Sequence, residues 1–389
     1  MVEFMNSNIY YGKQSVDRKD VNRVVKTLNS NFLTQGPEVK NFENILKKYF
    51  NAKYVNVVSN GTAALHLATL SLKLKNNDYL VTSPISFVAS ANCGVYAGCK
   101  VDFVDIDNKT YNLDPNLLEK KLKKNKKIKV VVVVDYAGQP ADWEAFLFLK
   151  KKYGFYLIND NCHALGASYK NRKDYALKYS DIVTQSFHPV KAITTGEGGA
   201  VITNNKNISD FILLHRSHGI KRSAMLEKKY GNWFYQLDTI GFNYRLSDIN
   251  CSLGISQFKK INTFIKKRKI IAEKYFELFH NFPNVILPYI DNNVTHAFHL
   301  FPLLIKFSKI NINKKIFFNN LSKENIFLQV HYIPIHLQPY YKKNFGFKIG
   351  DFPNAEEFYK EEVSLPIYYD LKQDQQIKVI NVVKKNIEK

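Results

Sequence analysis

A single lysine in an unusual place is the residue of this sequence best suited to chemistry. Lys191 follows an apolar, strand-like run over residues 181–187 and precedes a glycine-rich turn over residues 196–199. A lysine at the end of a buried strand is badly placed to be an ordinary solvated cation, and a desolvated amine is a good nucleophile toward carbonyl groups. We therefore predict that Lys191 is a Schiff-base lysine.

A cofactor that binds an amine covalently and stores electrons also needs an acid for its ring nitrogen, donors for its phosphate and a surface for its ring. Asp160 ends the apolar run at residues 155–159, so its carboxylate is expected at the carboxyl end of a strand, where open α/β sheets bind ligands. It could hold a protonated pyridine nitrogen or cap a following helix. His163, three residues later, could hydrogen-bond a phenolic oxygen of the cofactor or satisfy a buried polar contact.

The stretch at residues 59–67 is the candidate phosphate site, because it follows the first strand-like run and opens a helix-like segment. Free amides at a helix start bind phosphate, with Gly61 allowing close approach and Thr62 adding a hydroxyl. Plain helix capping explains the same residues equally well. Ser186, five residues before Lys191, could supply another hydroxyl. Phe87 is a candidate for stacking on the ring, with core packing as the alternative.

These side chains must be positioned by a sheet. Between residues 54 and 204, short β-branched runs alternate with helix-like segments, the pattern of a mostly parallel sheet covered by helices in an α/β fold. Five consecutive valines at residues 130–134 indicate a strand buried on both faces. The predicted strands are residues 54–58, 79–82, 100–104, 129–135, 155–160, 182–187 and 200–203.

The pattern changes after residue 243. One long helical stretch is predicted over residues 247–282, and mixed segments beyond it suggest a smaller α+β domain. A chain of 389 residues exceeds the size at which single cores stop growing, roughly 250 to 300 residues, so two domains are expected. We place a large domain at residues 1–250, whose N-terminal segment could pack on the smaller one, and a C-terminal domain at residues 251–389. The apolar stripe of the long helix is Leu253, Phe258, Ile261, Ile265 and Tyr275.

Charge and cysteine content limit the function classes. The net charge is +22, but the lysines are dispersed, and their densest run, residues 120–129, is interpreted as a solvated helix end, so no nucleic-acid partner is expected. Cys93, Cys99, Cys162 and Cys251 show neither a CxxC pair nor metal-ligand spacing, so no metal site is predicted. Without a leader-like start or an apolar run of roughly 18 residues, we expect a soluble, cytoplasmic protein with no membrane partner.

Together these motifs resemble the DegT/DnrJ/StrS family of pyridoxal-phosphate sugar aminotransferases over almost the whole chain. The resemblance implies the aspartate-aminotransferase-like fold, fold type I, and a homodimer with active sites at the subunit interface. It implies that Lys191 binds pyridoxal 5'-phosphate covalently. The segments that carry the likeness are residues 59–65, Asp160 with His163, residues 186–191, residues 195–199 and residues 241–245.

By the same resemblance Asp160 holds the pyridine nitrogen, and Asn243 reaches the phosphate of the neighbouring subunit's cofactor. The phosphate of the subunit's own cofactor is held by Gly61, Thr62 and Ser186. Asn161 and Cys162 depart from the small apolar residues that the family usually has between the aspartate and the following His or Gln.

One branch of the family matches more closely: the aminotransferases of pseudaminic acid biosynthesis, which aminate C4 of a UDP-linked 4-keto-6-deoxy-N-acetylhexosamine. The likeness lies in residues 33–37, 329–334 and 364–366. It implies a sugar-nucleotide site built from residues near the start of the chain and from its C-terminal part, namely Tyr11, Asn31, Phe32, Leu33, Thr34, Gln329, Val330, His331 and Tyr332.

The resemblance implies ping-pong transamination, with L-glutamate as the expected amino donor and Lys191 as the residue that moves the proton. An aminotransferase of the same family acting on a dTDP- or GDP-linked ketosugar is the serious alternative. A non-enzymatic regulator that uses the fold as a binding module is the second, although it would have no need of Lys191. Relatives that are dehydratases carry a histidine at the lysine position, which argues against that activity here.

Overall fold

The strands of the structure are short, and those that form the main sheet are rich in β-branched residues. The structure is a computed structural model that describes residues 8–388. Its strands are β1 (Ile9–Tyr10), β2 (Tyr54–Val58), β3 (Tyr79–Thr82), β4 (Lys100–Phe103), β5 (Ile128–Val134), β6 (Tyr156–Asp160), β7 (Ser168–Tyr169), β8 (Ile182–Ser186), β9 (Gly199–Thr203), β10 (Ile220–Lys221), β11 (Gln236–Leu237), β12 (Val285–Ile286), β13 (Val294–Thr295), β14 (Phe301–Ile305), β15 (Ile326–Phe327) and β16 (Glu362–Leu365).

Helices fill most of the chain between these strands, and several begin at a side-chain cap such as Asn60 or Asp114. They are α1 (Arg18–Leu28), α2 (Pro37–Tyr49), α3 (Gly61–Leu70), α4 (Ala89–Tyr96), α5 (Pro115–Lys124), α6 (Trp143–Tyr153), α7 (Tyr175–Tyr179), α8 (Lys206–His215), α9 (Ala224–Tyr230), α10 (Asp248–Phe258), α11 (Ile261–Phe279), α12 (Lys314–Lys323), α13 (Pro339–Phe345), α14 (Pro353–Glu361) and α15 (Gln373–Ile387).

The main sheet has seven strands in the order β2-β9-β8-β6-β5-β3-β4. The predicted strands agree with the observed ones to within one residue at each end, and the predicted mostly parallel α/β sheet is confirmed. Strand β9 is antiparallel to both of its neighbours, which the sequence pattern did not show. The chain between β8 and β9 forms turns and bends instead of a crossover helix, and so it reverses direction.

The valine run of β5 is buried on both faces, as predicted. Val131 and Val133 pack into a core on one face of the sheet with helices α2 and α6. Val130 and Val132 point to the opposite face and pack with helices α3, α4 and α8. Because side chains alternate along a strand, each face of the sheet needs its own apolar residues.

The predicted helix at residues 247–282 is in fact two helices, α10 and α11, separated at Lys259 and Lys260. The side chains of Gln257 and Lys260 both bind the buried carboxylate of Asp20, at 2.7 Å and 2.5 Å. The sequence pattern missed the break because the apolar positions keep helical spacing across it.

A second core lies around β14 and β16, which form a three-stranded sheet with β12 and pack against helices α11, α12 and α15. Strand β1 pairs in parallel with β15, so the N-terminal strand lies on this second unit. Ile261 and Phe264 at the start of α11 belong to the core of the main sheet, whereas residues 271–279 belong to the second core. We propose that the boundary between the two domains, which was expected near residue 250, lies within α11.

Two further findings concern membranes and metals. Within residues 8–388, no helix is both long enough and apolar enough to cross a bilayer. The same part of the chain contains no group of three or more His, Cys, Asp or Glu side chains that could hold a metal ion. The four cysteines are free thiols.

Burial of β5 on both faces gives a stability prediction. We expect Val131→Thr and Val132→Thr each to lower the free energy of unfolding by about 1–3 kcal/mol, because each places a hydroxyl in an apolar core without a partner. Lys129→Thr, at an exposed position of the same strand, is the control and should change little. Urea denaturation midpoints measure the effect. A neutral result at either valine would contradict burial of that face.

Candidate active site

A cavity of about 680 Å³ lies at the carboxyl ends of β5, β6 and β8. Val134, Asp160 and Ser186, the last residues of these three strands, line it together with residues from the second unit. Cavities of roughly 300 to 1,000 Å³ at the carboxyl edge of an α/β sheet are the usual binding sites for small molecules. The cavity brings together most of the site residues predicted from the sequence.

Lys191 lies in the loop between β8 and β9 and lines the cavity, half-buried. The loop is fixed by hydrogen bonds from the amide of Thr195 (2.9 Å) and the hydroxyl of Thr194 (3.1 Å) to the carbonyl of Phe187. Burial lowers the pKa of Lys191, while Cys162 and Asp160 act in the opposite direction. A larger share of its amine is therefore neutral near physiological pH than for a surface lysine.

Asp160 is the carboxylate at the end of β6, and it is buried. Its Oδ2 accepts a hydrogen bond of 2.6 Å from the hydroxyl of Ser90 on α4, and its Oδ1 accepts one of 3.3 Å from the Cys162 amide. Sequence reasoning missed Ser90, although its spacing of four residues from Ser86 is a helical one, and the two hydroxyls lie 2.7 Å apart. Asp160 is thus held as an acceptor facing the cavity.

The unusual Asn161 has a structural explanation. Its amide nitrogen donates to the buried carboxylate of Asp135 at 2.8 Å, and its oxygen accepts from Gln185 at 2.5 Å. Trp143 and Tyr175 also donate to Asp135, at 2.9 Å and 2.7 Å. This network pins the turn after β6, so Asn161 stabilises the segment that carries Asp160 into the cavity.

His163 is a buried, neutral imidazole in this cavity. Its Nε2 lies 3.1 Å from the hydroxyl of Tyr332, and its ring centroid lies 4.4 Å from that of His299, a residue that sequence reasoning missed. Burial lowers its pKa well below the usual range, and the charge of Lys191 adds to the effect. Its buried Nδ1 has no hydrogen-bond partner among the described residues. Such an atom calls for a ligand group.

The N-terminus of α3 forms a cradle beside β8. The side chain of Asn60 accepts a hydrogen bond from the Ala63 amide at 2.8 Å, while the Gly61 and Thr62 amides belong to the first helical turn and have no intrahelical acceptor. A Cβ on Gly61 would lie 2.8 Å from that of Ser186, so only glycine allows this approach. Gly61, Thr62 and Ser186 all line the cavity. Their amides and hydroxyls suit an anion such as phosphate.

Other predicted residues occupy different places. Phe87 lines the cavity and is 56% exposed, so it is not a core residue, and its ring centroid lies 6.3 Å from that of Tyr332. Asn243 is exposed and is not among the residues that line this cavity. Its backbone forms a bridge with Ser217 instead.

The predicted sugar-nucleotide residues fall into two groups. Tyr11, Gln329, Val330, His331 and Tyr332 all line the cavity. The other four lie in an exposed loop that is tied to α10 by a hydrogen bond of 3.0 Å from the Asp248 amide to the Leu33 carbonyl. These four, which the structure does not bring into the cavity of the single chain, are Asn31, Phe32, Leu33 and Thr34.

The sequence model of the DegT/DnrJ/EryC1/StrS aminotransferase family matches residues 14–384. The chain belongs to this family. Its members are pyridoxal-phosphate-dependent, and the protein is a sugar aminotransferase. The resemblance and the fold class predicted from the sequence are therefore confirmed.

Individual relatives are similar over nearly their whole length. The chain is 38% identical over 93% of both sequences to the UDP-4-amino-4,6-dideoxy-N-acetyl-β-L-altrosamine transaminase of Campylobacter jejuni. It superposes with a TM-score of 0.90 and 32% identity on Helicobacter pylori PseC, an aminotransferase of pseudaminic acid biosynthesis, covering 98% of this chain and 99% of that one. The putative sugar aminotransferase Spr1654 of Streptococcus pneumoniae, solved in PLP and PMP forms, gives a TM-score of 0.90 at 25% identity for the PMP form, with 98% and 99% coverage.

The residues of the aminotransferase cavity fit pyridoxal phosphate. The partially neutral amine of Lys191 suits its aldehyde, and the buried carboxylate of Asp160 suits a protonated ring nitrogen. The unpartnered Nδ1 of His163 is available to its phenolic oxygen. The cradle at the start of α3, which a Cβ at Gly61 would fill, has room and donors for its phosphate.

The cradle gives a binding prediction. We expect Gly61→Ala to weaken pyridoxal phosphate binding by at least tenfold, because the added methyl group forces Ser186 and the first turn of α3 apart. Titration of the apoprotein, followed by absorbance, measures the affinity. Gly12→Ala is the control, because a Cβ there would lie 3.5 Å from Val190, an ordinary contact. Equal affinity in both variants would exclude Gly61 from the phosphate site.

The lowered pKa of Lys191 gives a prediction about pH. Borohydride reduction of the protein with pyridoxal phosphate should fix the cofactor on the peptide that contains Lys191, and mass spectrometry identifies it. The attacking amine must be neutral, so the rate of attachment should fall as pH decreases through a pKa below the ordinary lysine value of 10.5. Lys191→Ala should show no attachment. A protein that stays colourless with added cofactor, or a label on another lysine, would contradict the assignment.

Proposed function

We propose that this aminotransferase moves an amino group from L-glutamate to C4 of a UDP-linked 4-keto-6-deoxy-N-acetylhexosamine in the biosynthesis of a pseudaminic acid-type sugar. The observation that carries the proposal is that the sequence similarity and the structural similarity lead to the same kind of enzyme. The similar Campylobacter jejuni transaminase is named for a UDP-linked amino-dideoxy sugar, and Helicobacter pylori PseC acts in pseudaminic acid biosynthesis. Both likenesses span nearly the whole chain.

Lys191 is the residue that moves protons in the proposed reaction. When bound, pyridoxal phosphate would supply an aldehyde carbon that carries the amino group between the two substrates and a ring that acts as an electron sink. The Lys191 amine, whose pKa is lowered by burial, can take a proton from the α-carbon of glutamate and return one to C4 of the sugar. Asp160 holds the ring nitrogen, supported by Ser90 at 2.6 Å.

The second unit supplies the wall of the cavity that faces the proposed sugar. Gln329, His331 and Tyr332 present amide, imidazole and phenol groups at the cavity surface, which suit hydroxyl and acetamido substituents. Burial keeps His331 neutral by lowering its pKa to about 3. Tyr332 stays protonated because burial raises the pKa of its phenol well above the usual range. This wall can therefore bind polar substituents without adding charge.

We further propose that the active enzyme is a homodimer in which Asn243 reaches the phosphate of the neighbouring subunit's cofactor. The segment just before Asn243 exposes large apolar side chains that a monomer has no reason to present to water. Met225, Trp233 and Ile240 are 76%, 78% and 77% exposed. An interface in this region would cover them and bring Asn243 to a second copy.

The cytoplasm is the proposed location. The four free cysteines, three of them buried, fit a reducing compartment.

Nucleotide sugars and glutamate are the proposed substrates. The excess of basic residues, +22 overall, favours the approach of a doubly charged nucleotide diphosphate.

A substrate panel tests the proposal. UDP-, dTDP- and GDP-linked 4-ketosugars are each incubated with the enzyme, pyridoxal phosphate and glutamate, and 2-oxoglutarate formation is measured. We expect turnover with the UDP-linked 4-keto-6-deoxy-N-acetylhexosamine, and turnover reduced to background in Lys191→Ala with the fold intact by circular dichroism. Preference for a dTDP- or GDP-linked sugar would show the alternative family activity. The proposed acceptor would be refuted if glutamate were not consumed with any of these sugars.

A further inference from the structure

His331 is held at three points by residues outside the cavity. Its backbone amide donates to Oε2 of Glu362 at 2.9 Å, and its carbonyl accepts from the hydroxyl of Tyr136 at 2.6 Å. Its ring Nδ1 lies 2.8 Å from the hydroxyl of Ser364. The ring also packs against Tyr11, with centroids 4.8 Å apart. Two hydrogen bonds thus fix the main chain of His331, and Ser364 and Tyr11 hold its ring at the cavity wall.

Ser364 connects this imidazole to a buried carboxylate. The Ser364 hydroxyl donates to Oε1 of Glu362 at 2.6 Å, and both residues are 0% exposed. Burial raises the pKa of the Glu362 carboxyl to about 7, while the hydrogen bond from Ser364 and the charge of Lys314 act in the opposite direction, so the group is ionised in alkaline solution. When ionised, a carboxylate can only accept hydrogen bonds. The single proton of the Ser364 hydroxyl is then committed to Glu362.

The hydrogen bond from Ser364 to Glu362 decides which nitrogen of the His331 ring is protonated. When Glu362 is ionised and accepts the Ser364 proton, the Ser364 hydroxyl can only accept from the ring of His331, so Nδ1 of His331 carries the proton. The imidazole is neutral, since burial lowers its pKa. Its Nε2 therefore carries a lone pair, and it is the ring nitrogen left for a ligand in the cavity.

We propose that Glu362 and Ser364 are positioning residues that fix His331 as the Nδ1–H tautomer, so that Nε2 accepts a hydrogen bond from a donor on the sugar. The proposal rests on the proposed function for the identity of that sugar. An N–H or O–H group is the substituent that such an acceptor selects, and the acetamido N–H and the free hydroxyls of an N-acetylhexosamine both qualify. A sugar with only an acceptor at that position meets an unfavourable lone-pair contact.

The tautomer can be tested without any substrate. Imidazole ¹⁵N chemical shifts separate a protonated ring nitrogen from an unprotonated one, and His331→Gln identifies the His331 signals among the ten histidines. In alkaline buffer, where Glu362 is ionised, we expect Nδ1–H in the holoenzyme. Glu362→Gln is close in shape and presents an amide N–H₂ group to Ser364, so Ser364 should donate to His331 and move the proton to Nε2.

Kinetics test the consequence for the sugar. In Glu362→Gln we expect KM for the ketosugar to rise about tenfold, the loss of roughly one hydrogen bond. The half-reaction with glutamate, which depends on Lys191 and Asp160, should keep its rate. Ser364→Ala removes the connecting hydroxyl and should likewise raise the KM for the ketosugar while the glutamate half-reaction keeps its rate. If one of the two variants fails to fold, the other still tests the proposal.

Glu356→Gln is the matched control, because Glu356 binds the buried His336 at 3.0 Å outside the cavity. It should alter the His336 signals and leave those of His331 and the sugar KM unchanged. The proposal is overturned if His331 keeps its wild-type tautomer in Glu362→Gln, or if the tautomer changes while the KM for the ketosugar does not. Absence of turnover with every sugar would refute the proposed function, and the ¹⁵N result would still decide the tautomer.

Discussion

The register between β6 and β8 is the constraint on which the site depends. Asp160 pairs with Thr184, two residues before β8 ends at Ser186 and the chain turns toward Lys191. Side chains alternate along a strand, so Asp160 shares with Ile158 the face of the sheet that packs against α3 and α4. A slip by one residue would turn Asp160 to the other face and bring Asn159 in its place. This register therefore sets which side chain meets Ser90 and the cavity.

Burial determines the charge states of the histidines near the cavity. His163, His299 and His331 all have pKa values lowered by burial, and the charge of Lys191 contributes in each case. Burial also lowers the pKa of Lys191, so a larger share of its amine is neutral than for a surface lysine, as its proposed role as a nucleophile requires. Cys162 and Asp160 offset part of this effect. The site thus combines an amine of lowered pKa with a carboxylate that accepts hydrogen bonds from Ser90 and the Cys162 amide.

The sequence predicted the parts of the site that depend on local pattern. Lys191, Asp160 and Gly61 stand at the ends of strands or the start of a helix, positions that periodicity marks out. Contacts between distant segments could not be read in this way. Ser90 is 70 residues from Asp160, and Glu362 is 31 residues from His331, so only the fold reveals these pairs. The direction of β9 and the break between α10 and α11 were missed because neither changes the apolar spacing.

The second unit is part of the site through a buried cation whose hydrogen bonds, within residues 8–388, go to backbone carbonyls. Arg268 on α11 is 3% exposed, and its Nη1 donates to the carbonyls of His299 at 3.2 Å and Ile367 at 2.6 Å. Burial lowers its pKa to about 10. These bonds fix the backbone that presses His299 against His163. Because α11 also spans both cores, the same helix that joins the two units sets the position of the imidazole beside the proposed cofactor site.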